Sequence, residues 1–128
     1  MREEQKVAKV AHAREVAMFF ADHDRNLGEA LKLASIDLQQ RSDAFAHDAH
    51  AWILYKNGKL PEAKLAITQA MAAGTATPPI LFHAATIFDA CGERDNAANH
   101  LKLLLSANPH FSVIYDKRVQ QLREEYGL

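Results

Sequence analysis

At 128 residues, 48% hydrophobic and 24% charged, the chain has the size of one domain and is too apolar to remain disordered. A formal net charge of −1, a pI near 6.6 and the lack of any Lys/Arg run argue against nucleic acid and against a membrane surface as partners. No apolar stretch reaches the roughly 18–20 residues that span a bilayer, and a single cysteine, Cys91, excludes an intrachain disulfide.

The N-terminal residues MREEQKVAKVAHAREVAMFF alternate charge with small apolar side chains and lack the continuous apolar core of a signal peptide. A cytoplasmic location is expected if the chain is whole, and a periplasmic or exported one if it is a fragment. Residues 4 to 21 are predicted to form a first helix, with Val7, Val10, Val16, Ala17 and Phe20 on its apolar face. Residues 22 to 26 are a polar turn, in which Asn26 is expected to cap the next helix with its side chain. That helix covers 28 to 40, with Ala30, Leu33, Ala34 and Leu38 inward.

A third helix spans 44 to 57 through Ala44, His47, Ala51, Leu54 and Tyr55, and Asn57-Gly58 stops it. Pro61 lies in the first turn of the fourth, where its missing N–H costs nothing. This helix places Ala63, Ile67, Ala70 and Met71 on one face and ends near Ala73-Gly74. A fifth helix, 78 to 91, carries Leu81, Ala84, Ala85 and Phe88. A sixth, 94 to 107, carries Ala97, Leu101 and Leu104, and Asn108-Pro109 ends it. The tail from 111 to 126 reads as a seventh, with Phe111, Tyr115, Val119, Leu122 and Tyr126 on one stripe. No strand pattern is visible, so the fold class is all-α.

Three pairs of small residues recur at a spacing of 34: Gly58 with Gly92, Ala63 with Ala97, and Ala51 with Ala85. Small residues let helices approach closely, and stacked pairs build a core that no single pair can. Ala30 to Ala63 is 33, so the first pair is degenerate, with one extra residue in its turn.

This pattern resembles the tetratricopeptide repeat family. Ala51, Leu54-Tyr55, Gly58, Ala63, Ile67 and Ala70 carry the likeness in one repeat. Leu81, Ala84-Ala85, Phe88, Gly92, Ala97, Leu101 and Pro109 carry it in the next. The run DAHAWILYKNGKLPEA resembles bacterial members. The resemblance implies an alpha-alpha superhelix in a single domain. Its repeats would cover about 10–43, 44–77 and 78–111, with a capping helix at about 111–126. Departures are His47 and His50 where Trp and Leu are usual, Leu104 in place of a small residue, and Thr75 in place of proline.

The resemblance further implies a concave surface, lined by the first helix of each pair, that holds a peptide. Its ligand-facing offsets fall on Phe45, Asp48, Ala49, Trp52, Tyr55 and Lys56 in the second repeat. In the third they fall on Pro79, Phe82, His83, Thr86, Asp89 and Ala90. Arg14, Met18 and Asp22 are the corresponding residues in the irregular first repeat. Trp52, Tyr55 and Phe82 would form an aromatic patch, the residue class that dominates binding hot spots. Aromatic side chains equally serve cores, so packing against neighbouring helices is the competing reading. The Lys/Arg/Asn clamp by which chaperone-binding members hold a carboxylate is absent, because Asp48, Trp52, Phe82 and Thr86 stand at its offsets.

Catalytic signatures are missing. Cys91 lies at a helix C-terminus, whose dipole disfavours a thiolate. Asp22-x-Asp24-x-Asn26-x-Gly28 resembles the start of a calcium loop, but its glycine is one place late and Leu33 stands where the bidentate Glu belongs. His47 and His50 could share a metal, but the spacing offers no further ligand. The expectation is a non-catalytic scaffold, without cofactor or resident metal, that binds a protein or peptide segment and uses no nucleic acid. One alternative is a structural or oligomerisation domain of a larger bacterial protein with its groove filled in cis, for which self-association is expected. The distant alternative is a metal-responsive regulator using the histidines.

Overall fold

The computed structural model describes residues 3 to 128 except Thr75, with side chains described from Ala13 onward. The departure at Thr75 and the expected inward positions of Val7 and Val10 fall outside those residues and side chains. Among the described residues there are seven α-helices and no strand. They are α1 (Glu3–Asp22), α2 (Leu27–Gln40), α3 (Ala44–Lys56), α4 (Leu60–Ala72), α5 (Pro78–Ala90), α6 (Arg94–Ala107) and α7 (Asp116–Tyr126). No helix is long and apolar enough to cross a membrane.

Each odd helix packs on its even successor, and α1, α3 and α5 lie side by side. Alanine makes this possible. Ala51, Ala63, Ala85 and Ala97, the small residues of the 34-residue spacing, are all buried, as is Ala30. With no side chain beyond Cβ they let helix axes approach, while Ile53, Ile67, Ile80, Ile87, Leu101 and Leu104 fill the space between. Residues 80 to 88 of α5 are buried without interruption, because α3, α4, α6 and the C-terminal segment surround that helix.

The turns repeat to the hydrogen bond. Gly58 and Gly92 take φ of 77° and 78°, a left-handed conformation that only glycine adopts at little cost. Lys59 N–H then bonds Leu54 C=O, and Glu93 N–H bonds Phe88 C=O, both at 2.9 Å. The first pair follows the same plan one period earlier: Asp24 holds φ of 52° where glycine would stand, and Arg25 N–H bonds Phe20 C=O at 2.8 Å. The extra residue is thereby located at Asn26, directly before α2. Its conformation corrects the expected cap: Asn26 is left-handed at φ 46°, and its side chain makes no cap bond. Asp43 is a true cap, accepting the Ala46 N–H at 2.8 Å at the start of α3.

Two further expectations change. Val16 faces solvent, while Ala17 is buried as expected and shares its stripe with Ala13 and Ala21. The seventh helix begins at Asp116, not 111. The stretch Ser112-Val113-Ile114 interrupts it with two β-branched residues of low helix propensity. Residues 108 to 115 form an irregular connection in which Phe111 and Tyr115 nevertheless pack on the core.

Candidate partner-binding face

About half of the expected ligand-facing residues meet where α1, α3 and α5 lie side by side. Trp52 is their centre. Its ring lies 4.3 Å from His83 and 5.0 Å from Tyr55, both nearly parallel, and 5.6 Å from Phe82. Lys56 places its ammonium 5.4 Å from the same ring while pairing with Asp24 at 2.9 Å. Asp48 and His83 join α3 to α5 through a 2.7 Å bond at His83 Nδ1, and both are buried. A carboxylate in that position needs a partner, and the imidazole supplies one.

Trp52 and Phe82 are not open to solvent. Their exposures are 2% and 0%. The chain's own C-terminal segment covers them: Tyr115 meets Trp52 edge-on at 5.5 Å and Phe82 at 4.7 Å, and Phe111 meets Phe82 at 5.6 Å. Ala49 and Thr86 are buried too, and Thr86 Oγ1 has no hydrogen-bond partner. Phe45, Pro79 and Ala90 face solvent, outside the aromatic cluster. Met18 packs half-buried against the core.

Asp22 and Asp89 fasten the covering segment. Tyr115 donates its hydroxyl to Asp22 at 2.7 Å, and Trp52 Nε1 donates to the same oxygen at 3.3 Å. Tyr126 donates to Asp89 at 2.6 Å, and Arg118 reaches the other oxygen of Asp89 at 3.4 Å. Loss of hydration, then the hydrogen bond to aspartate, raises both phenols. Tyr126 is pushed up to about 12, and Tyr115 is held well above the ordinary tyrosine range. The Arg94 guanidinium lies 4.4 Å from the Tyr126 ring.

Arg14 is occupied elsewhere. It bonds Asp37 at 2.7 Å and Asp43 at 3.2 Å, and Arg41 gives Asp37 a second cation at 3.0 Å. Sequence reasoning passed over Asp37, a fully buried carboxylate. Its signal was present, since Asp37 falls on the Ala30–Leu33–Ala34 stripe of α2, where an unpaired charge would not be tolerated. The tyrosine–aspartate pairs had no comparable signal, because the two tyrosines meet α1 and α5 from far along the chain.

His47 and His50 lie on α3, both partly buried, and His47 Nδ1 has no partner. Desolvation, then the neighbouring His47, lowers the His50 pKa. Among the described residues no three His, Cys, Asp or Glu side chains gather as a metal site. Partial burial, and then Glu93, pushes the Cys91 thiol up, which disfavours a nucleophilic thiolate. Comparison of the chain with protein-family models, with curated proteins and with solved structures gives no match.

Proposed function

We propose that this chain is a non-catalytic, tetratricopeptide-type scaffold that receives a protein or peptide segment on the shared face of α1, α3 and α5. The seating of Phe111 and Tyr115 against Trp52 and Phe82 carries the reading. That face accepts aromatic side chains from a non-helical stretch of backbone and binds a hydroxyl at Asp22. Aromatic anchors in desolvated seats, ringed by polar groups such as Lys56 and Asp89, are what hot spots consist of.

A photo-crosslinking residue placed at Lys56, at the rim of the cluster, tests the proposal in extracts of the native host. Capture of one defined protein from position 56, and not from exposed Leu65 on α4, is the expected result. Equal capture, or none, from both positions argues against a binding face.

The burial of Trp52 favours a second reading, a structural or oligomerisation domain whose inner face is permanently filled in cis. Under it, the cis segment stays docked on Trp52 with any partner, and sedimentation shows concentration-dependent association.

A further inference from the structure

We infer that residues 109–126 act as a built-in competitor, and that the outside partner presents the same chemistry: an aromatic residue followed four positions later by an unmodified tyrosine. This rests on the scaffold reading and names the partner class of that face.

The covering segment divides into anchors and slack. Phe111 and Tyr115, four residues apart, fill the aromatic seat, and the Tyr115 hydroxyl ends on Asp22. Between them Val113 is 94% exposed and Ile114 57% exposed. Two β-branched apolar residues therefore stay in water beside the seat, and the connection adds little burial to hold the segment down. From Asp116 to Tyr126 only Val119 and Leu122 are buried. The segment is held at separate points, Phe111, Tyr115, Val119, Leu122, the Arg118–Asp89 pair and Tyr126 against Asp89 and Arg94, and is joined to α6 by an irregular stretch beginning at Asn108-Pro109. Such local elements open at a lower free energy than the helix pairs beneath them. A rival segment with the same two anchors would compete for one seat, and its effective affinity would fall by the fraction of time the cis segment is docked.

Selectivity follows from charge. The hydroxyl seat is a carboxylate, Asp22, with Asp24 two residues away, and the nearby ammonium of Lys56 already serves Asp24. A donor suits Asp22. Phenylalanine leaves it without that bond, and a tyrosine phosphate brings roughly −1.5 to −2 charges against it.

The test adds a synthetic peptide of residues 108–128, the probe of the seat, to the intact chain and to its Tyr115→Phe and Tyr115→Ala variants. Fluorescence anisotropy of a dye on the peptide supplies the readout, because the peptide returns to Trp52 the same rings it displaces, and circular dichroism verifies helix content. Tyr115→Phe keeps the ring and removes only the hydroxyl, which guards against a variant that fails to fold. The peptide is expected to bind Tyr115→Phe about fivefold tighter than the unaltered chain, as loss of one hydrogen bond from the competitor implies. Peptides with Phe or phosphotyrosine at position 115 should bind each protein more weakly, the phosphopeptide weakest.

Equal binding to all three proteins overturns the competition. Equal binding of the Tyr, Phe and phosphotyrosine peptides overturns the tyrosine selectivity. Concentration-dependent dimers of the unaltered chain that the peptide dissolves would make the occupant a second copy's segment and overturn the proposal in that form. Specific crosslinks from position 56 alongside equal peptide binding would leave the scaffold reading standing and sink only this inference.

Discussion

Tyr115 reaches Asp22 at 2.7 Å across 93 residues of chain, and Trp52 donates to the same carboxylate oxygen. One aspartate at the end of the first helix thus ties the segment before the last helix to the middle pair. The other helix contacts are mainly between neighbours in the chain, so this pairing adds a direct tie between distant parts of it.

Removing the hydroxyl isolates that bond. Tyr115→Phe is expected to lower stability by about 1 kcal/mol, measured by chemical denaturation. An unchanged midpoint would mean that Asp22 is equally well served by water.

Alkaline pH should weaken the same contacts. The folded phenols of Tyr115 and Tyr126 lie above the ordinary value of about 10 that they regain on unfolding. Their contribution is therefore complete below about pH 10 and is lost as pH rises through the folded values, about 12 for Tyr126. Absorbance titration should show these two phenols ionising late and together with loss of helix. Ionisation of all three tyrosines near pH 10 with the helices intact would contradict it.

Asp48 and His83 form a buried pair whose members depend on each other. His83→Phe leaves the carboxylate without its partner and is expected to cost about 3 kcal/mol. The double change Asp48→Leu with His83→Phe should recover much of that loss, because an apolar pair needs no compensation. A double variant as unstable as the sum of the single changes would show that the hydrogen bond is not the source of the cost.

Acid should act through His50. Its folded pKa is lowered, first by desolvation and then by His47, so the unfolded chain takes up the proton first. Stability from keeping His50 neutral is present above its ordinary pKa of about 6.5 and fades as pH falls through the folded value. The His50→Gln variant should lose less melting temperature than the parent chain between about pH 7 and pH 5. Parallel curves would place the acid sensitivity elsewhere.

Gly58 holds φ of 77° with open space where a Cβ would point. Gly58→Ala therefore carries only the backbone penalty of the left-handed conformation, about 1 kcal/mol. Asp24→Gly relieves the same penalty at the corresponding turn and, compared in a Lys56→Met background to remove the Lys56–Asp24 pair, should cost much less or be stabilising. A larger loss at Asp24 than at Gly58 would break the equivalence of the two turns.

The helices were legible from residues 4 to 107 because most boundaries carry their own local chemistry. Gly58 and Gly92 supply left-handed stops, Pro61 supplies a first turn, and the 34-residue recurrence of alanines marks where helices touch. Such signals act within a few residues and need no knowledge of the rest of the molecule. The local signal failed where a long-range contact competes with it. The stripe through Phe111 and Tyr115 has helical spacing, yet the backbone there is irregular and both side chains pack on the core. Asn26 has the composition of a cap and adopts a conformation that forbids it.

By itself the sequence determined an all-α chain of paired helices and the residues that could share one face, since periodicity and turn chemistry are properties of neighbours. Only the tertiary structure decided what that face meets. Trp52 and Phe82 would read the same in an open groove or a filled one. Their burial depends on Phe111 and Tyr115 returning from a distant part of the chain, held by Asp22 and Asp89, and no spacing along the chain encodes a contact of that range.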